Sequence, residues 1–112
     1  MREFTAEEMF DWFKSIFSYC GTALLEMEDE DVMYYLFEEL DSDATSCLHI
    51  NTLKRLENLG YINGQTVALC ITFRSRYLEL MREKTWSADE IRKHEKWLGL
   101  MRIADLIKST LN

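Results

Sequence analysis

The residues able to do chemistry are few and scattered. Two histidines, His49 and His94, and three cysteines, Cys20, Cys47 and Cys70, are the only imidazoles and thiols in the chain. Cys47 and His49 could supply two metal ligands, but no second pair follows at zinc-site spacing. Asp41-Ser-Asp43-Ala-Thr45 opens like a calcium loop of the EF-hand type. The next position calls for glycine and is Ser46, and the twelfth calls for glutamate and is Thr52, so the pattern fails. No nucleophile elbow, glycine-rich phosphate loop or HExxH pattern occurs. Paired carboxylates abound, but on a face expected to be wet. General acid–base work wants a walled site that moves their pKa values. The chain therefore reads as a non-enzyme with no metal and no cofactor.

What remains distinctive is the stretch 26–43. Nine of its eighteen residues are acidic, none is basic, and no Lys or Arg lies between Lys14 and Lys54. Val32, Met33, Leu36, Phe37 and Leu40 recur at helical spacing, which predicts an amphipathic helix from about Asp29 to Leu40. Asp31, Tyr34 and Glu38 then share its outer stripe, with Tyr35 and Glu39 beside them. Asp29, Glu30 and Asp31 complement the positive end of the helix dipole, so their charge has a local reason. Glu38, Glu39 and Asp41 crowd the predicted C-terminal end, where carboxylates are unfavourable by up to about 1 kcal/mol each. Charge kept against local energetics points to a binding surface, and tyrosine is enriched at interface hot spots. The alternative for either tyrosine alone is that it packs its ring and wets its hydroxyl.

The elements that must hold this stretch are helical, since the chain has no proline and four glycines. Thr5-Ala-Glu-Glu8 fits a capping box and Phe4 with Met9 a hydrophobic staple, so helix one starts there. Met9, Phe10, Trp12, Phe13, Ile16, Phe17 and Cys20 form a wide apolar arc along it. Gly21 either interrupts or ends that helix. Residues 41–46 read as a polar turn. A third helix, Leu48 to Leu59, turns Leu48, Thr52, Leu53, Leu56 and Leu59 inward, and Gly60 fits a left-handed cap. Asn63 can cap a fourth helix, which runs to about Glu83. Its inward residues are Val67, Cys70, Ile71, Phe73, Tyr77, Leu78 and Met81. Arg74 falls at the edge of that face, as a half-buried cation in need of a carboxylate. Ser87-Ala-Asp-Glu90 is a second capping box, stapled by Trp86 and Ile91. It opens a fifth helix to about Thr110, with Arg92, Lys93, Lys96, Arg102 and Lys108 outward. The fold class is all-α: a compact single-domain bundle of about five helices over residues 1–112.

Bulk composition narrows the function. A hydrophobic fraction of 47% argues against disorder despite a net charge of −7. No run approaches the roughly 18 apolar residues of a membrane span, and the N-terminus lacks a secretory signal pattern. The odd, widely spaced cysteines read as reduced thiols. A cytoplasmic monomer is expected. Residues 1–53 hold thirteen acids against two bases, a net of −11, and residues 54–112 hold seven against eleven, a net of +4. Direct nucleic-acid binding through the acidic half is disfavoured by phosphate repulsion. The two halves could also neutralise each other in the fold.

Asp31-Val-Met-Tyr34-Tyr35 resembles the Asp-x-x-Tyr-Tyr core of the colicin nuclease immunity proteins. The proline that follows in that family is absent here, and Leu36 and Phe37 continue the helix. A wider pattern is similar to immunity proteins of contact-dependent growth-inhibition systems, over about residues 30 to 110. It comprises an acidic helix ending Phe37-Glu-Glu-Leu-Asp41, then Cys47-Leu-His49, then Leu53 to Ile62 with its Gly60-Tyr-Ile62 turn. An arginine-rich helix four and Trp86-Ser87 at the last helix complete it. The resemblance implies a bacterial immunity protein that neutralises a cognate toxin, a nuclease with a basic active-site cleft. Tyr34, Tyr35, Glu38 and Glu39 would anchor the toxin, while Asp31, Asp41 and Asp43 steer it. The competing reading is an acidic helical adaptor or DNA mimic that occupies a host nucleic-acid-binding protein.

Overall fold

Most of the helices begin where the sequence supplies a side-chain cap. A computed structural model of the chain describes residues 4–111. The Thr5 hydroxyl accepts the Glu8 N–H at 3.1 Å and the Glu8 carboxylate accepts the Thr5 N–H at 3.1 Å, which opens α1 (Ala6–Tyr19). Gly21 ends the helical path at φ +154°, and a Cβ placed there would come within 2.4 Å of Asp105 Oδ1. The same carboxylate accepts the Thr22 hydroxyl at 2.8 Å and so caps a short 3₁₀ turn, Thr22–Glu26. α2 (Asp29–Tyr34) runs through a π-helical segment (Tyr35–Glu39) into α3 (Leu40–Ser46).

A tight turn through Cys47 and Leu48 leads to α4 (Ile50–Asn58), with His49 as its cap: Nδ1 accepts the Asn51 N–H at 3.2 Å. Gly60, at φ +83°, closes it in the left-handed conformation. Asn63 Oδ1 accepts the Thr66 N–H at 2.9 Å and starts α5 (Gly64–Glu83). The Ser87 box then opens α6 (Ala88–Lys93), and His94 separates it from α7 (Glu95–Ser109).

The chain is all-α, and its buried side chains form one cluster. Phe13, Phe17, Phe73, Tyr77 and Trp97 are the bulkiest of those that are fully buried. α5 lies along α7, while α1 packs on α4 and α7. A fully buried side chain of this kind contributes roughly 1.5–3 kcal/mol by removal from water. The radius of gyration, 13.9 Å, matches a compact chain of this length. Among the described residues no helix is long and apolar enough to cross a membrane.

Several local expectations are corrected. Residues 41–46 are helical rather than a turn, so the acidic run does not stop at Leu40. Leu59 and Ile71 are exposed, not inward: Leu59 is the C-cap residue past the last turn of α4, and Ile71 is turned about 100° around α5 from the buried Cys70. The fifth predicted helix breaks at His94, whose backbone turns extended (φ −92°, ψ 127°) while its Nδ1 accepts the Lys96 N–H. Arg92 is not an outward charge. Its Nε donates to the Leu25 carbonyl at 3.0 Å and an outer nitrogen to the Met27 carbonyl at 2.6 Å, closing the end of the 3₁₀ turn. Arg74 finds no carboxylate among the described residues: its Nε donates to the Ala44 carbonyl at 2.7 Å, near the end of α3.

Candidate partner-binding surface

The acidic face depends on how residues 29–46 are wound. Along an α-helix of 3.6 residues per turn, side chains five apart sit roughly 140° from each other. Tyr34 and Glu39 are five apart, yet the Tyr34 hydroxyl donates to Glu39 Oε1 at 2.5 Å. The π segment between them makes this possible, because its wider turn brings i and i+5 toward one side. Within it the Leu40 N–H reaches back five residues to the Tyr35 carbonyl. The Leu36 carbonyl is taken up by the buried Tyr77 hydroxyl of α5, at 2.5 Å. A buried carbonyl with no donor would be costly, so Tyr77 supports this register.

Behind Tyr34 stands a rigid backing. Tyr34 meets Tyr35 edge-on at 5.3 Å, and Tyr35 stacks on Tyr19 of α1 at 4.9 Å with the rings 21° apart. The Tyr19 hydroxyl donates to Asp43 Oδ2 at 2.7 Å, and Trp12 Nε1 donates to Asp43 Oδ1 at 2.8 Å. A sequence of contacts thus runs from a buried carboxylate to a tyrosine that is 45% exposed. Burial above all, with the Cys20 thiol and the Asp43 carboxylate beside it, holds the Tyr19 hydroxyl well above its ordinary range. The Tyr34 hydroxyl is also raised, first by its hydrogen bond to Glu39 and then by the negative charge of that carboxylate.

The predicted site residues divide accordingly. Asp31, Glu38 and Asp41 are exposed, and Tyr35 and Glu39 are half-buried beside Tyr34. Asp43 does not belong to the surface. It is only 6% exposed and accepts two internal hydrogen bonds, so its place as a steering charge is corrected to an internal acceptor. Glu38, Glu39 and Asp41 do not crowd a helix end as expected, since the helical path continues past them to Ser46. A different observation sets them apart. Asp29 pairs with Arg92 at 2.5 Å, whereas among the described residues Asp31, Glu38, Glu39 and Asp41 form no ion pair. A shallow depression lies on this face, lined by Glu30, Asp31, Met33, Tyr34, Phe37 and Glu38.

Sequence reasoning missed Tyr19, Trp12 and Tyr77 as supports. Trp12 and Tyr77 were read only as core, and nothing local indicates which polar group a buried ring will meet. The thiols are a poor source of nucleophiles. Burial first, and then Asp43, pushes Cys47 up to about 12, and burial with the neighbouring Cys47 pushes Cys70 up to about 12. Cys20 is raised further by burial. Each histidine spends Nδ1 on a helix cap. Among the described residues, no three His, Cys, Asp or Glu side chains converge as metal ligands. No protein-family model, curated protein or solved structure matches this chain.

Proposed function

We propose that the chain is an immunity protein, which binds a basic partner of the nuclease-toxin kind through the face made by α2 and the π segment. The observation that carries the reading is Tyr34. It is exposed, held to Glu39, backed by the Tyr35–Tyr19 stack, and surrounded by carboxylates (Asp31, Glu38, Glu39 and Asp41) that form no ion pair among the described residues. A preorganised tyrosine loses little freedom on binding, which favours a slow off-rate. Uncompensated carboxylates around it accelerate encounter with a positive cleft, to about 10⁸ M⁻¹s⁻¹ or more at low salt. Inhibition would then follow from occupying or screening the cleft that must otherwise receive nucleic acid.

The test is protection of cells that express the toxin encoded beside this gene. Glu38→Lys combined with Glu39→Lys should abolish protection and co-purification with the toxin's C-terminal domain, while the far-UV helix signal is kept. Full protection by the folded double variant would overturn the reading.

A further inference from the structure

A cleft of about 360 Å³ lies between α5 and α7, away from the acidic face. Its floor includes Leu80 and Gly99, and its rim carries Arg76, Glu79, Glu83, Glu95 and Lys96. Gly99 sits inside α7, where glycine is the poorest helix former after proline. Steric need does not explain it: its φ is not in the left-handed region, and a Cβ there would meet no atom within 4 Å. A larger side chain would instead occupy the cleft. The rim has three carboxylates against two cations. Lys96 is already bound to Glu83 at 2.9 Å, while Glu79 and Glu95 make no ion pair among the described residues.

We infer that this cleft receives an arginine or lysine side chain of a protein partner, its aliphatic stem over Leu80 and Gly99 and its cationic head toward Glu79 and Glu95. Basic side chains bury apolar stems while keeping the charge at a wet rim, which is the arrangement this cleft offers. The glycine keeps the space open at the expense of helix propensity. The inference shares with the preceding reading only the basic character of the partner, and it adds a second anchoring point on a different pair of helices.

The probe is the peptide acetyl-Ala-Arg-Ala-amide, titrated into the ¹⁵N-labelled chain and followed by amide shifts. Saturable shifts at Leu80 and Gly99 are expected. They should weaken roughly fivefold when both Glu79 and Glu95 are changed to Gln, the loss of two partly exposed charge pairs. Gly99→Leu should abolish them while α7 still folds, and Gly99→Ala, which favours the helix and fills less of the cleft, should leave them weakened. Absence of saturable shifts at Leu80, or their persistence in a folded Gly99→Leu chain, overturns the proposal. Shifts confined to Tyr34 and Glu38 would overturn it too, while leaving the acidic surface standing.

Discussion

Asp43 shows how one side chain can serve a surface it does not reach. Its two oxygens accept from Trp12 and Tyr19, donors 31 and 24 residues away in sequence. Replacing it by alanine leaves an indole N–H and a phenol without an acceptor, each at about 1–3 kcal/mol. Asp43→Ala should therefore lower stability by about 3 kcal/mol, read from urea unfolding. A loss below about 1 kcal/mol would mean that water replaces the carboxylate. The raised thiols and phenols make a second prediction. A thiol with an ordinary pKa of 9.0, held near 12 in the folded chain, keeps its proton after the unfolded chain has lost it. Its contribution is fully present below pH 9 and is lost as pH rises toward 12, with the half-buried phenol of Tyr19 and the buried one of Tyr77 adding to the loss above pH 10. The urea midpoint should hold steady from pH 7 to 9 and then fall. A midpoint unchanged at pH 11 would contradict the burial of these groups.

Among the elements, the π segment is the one whose conformation shapes the acidic face. It lets Tyr34 and Glu39 meet, and a hydroxyl from α5 donates to its Leu36 carbonyl. Tyr77→Phe keeps the ring and removes only the donor. The expected cost is about 1–3 kcal/mol, the desolvation penalty of an unsatisfied carbonyl. Amide exchange should accelerate selectively over residues 35–40, since local opening there no longer breaks the Tyr77 bond. Uniform acceleration across the molecule would show that Tyr77 supports global stability alone. The Arg92 clamp is the comparable device on the other side of the acidic run. It ties the 3₁₀ turn to α6 through two carbonyls and takes Asp29 as a third partner, which pairs that exposed acid with a cation.

Over the whole molecule, few charges of the acidic half pair directly with charges of the basic half among the described residues. Among the described residues a single ion pair, Asp29–Arg92, joins the acidic half to the basic half. The remaining pairs, Lys84–Glu90, Lys93–Asp89, Lys96–Glu83, Lys54–Glu57 and Lys14–Asp11, each close within one half. Mutual neutralisation of the two halves is thus mostly not made through direct pairs. The molecule keeps a field that a basic partner would feel beyond contact distance. Its association rate with such a partner should fall at least tenfold between about 20 mM and 500 mM salt, while dissociation changes little. A rate insensitive to salt in stopped-flow measurements would assign the encounter to the apolar contacts of Tyr34 and Phe37 instead.

The helical class, both capping boxes, the Asn63 cap and the Gly60 turn are legible from residue types and spacing alone. In each case the interacting atoms lie within a few residues of one another, so local chemistry suffices. The sequence also marked Tyr34, Glu38 and Glu39 as polar groups opposite an apolar stripe, and that stripe does face the core through Val32, Leu36 and Leu40. Tertiary structure decided the rest. Asp43 is internal because Trp12 and Tyr19 of α1 reach it, the helical path bulges over residues 35–39 with the Tyr77 hydroxyl on its Leu36 carbonyl, and Arg92 turns inward because three acceptors converge on it. Those partners lie 24 to 67 residues away, a separation at which residue type and periodicity carry no information about which polar atoms will meet.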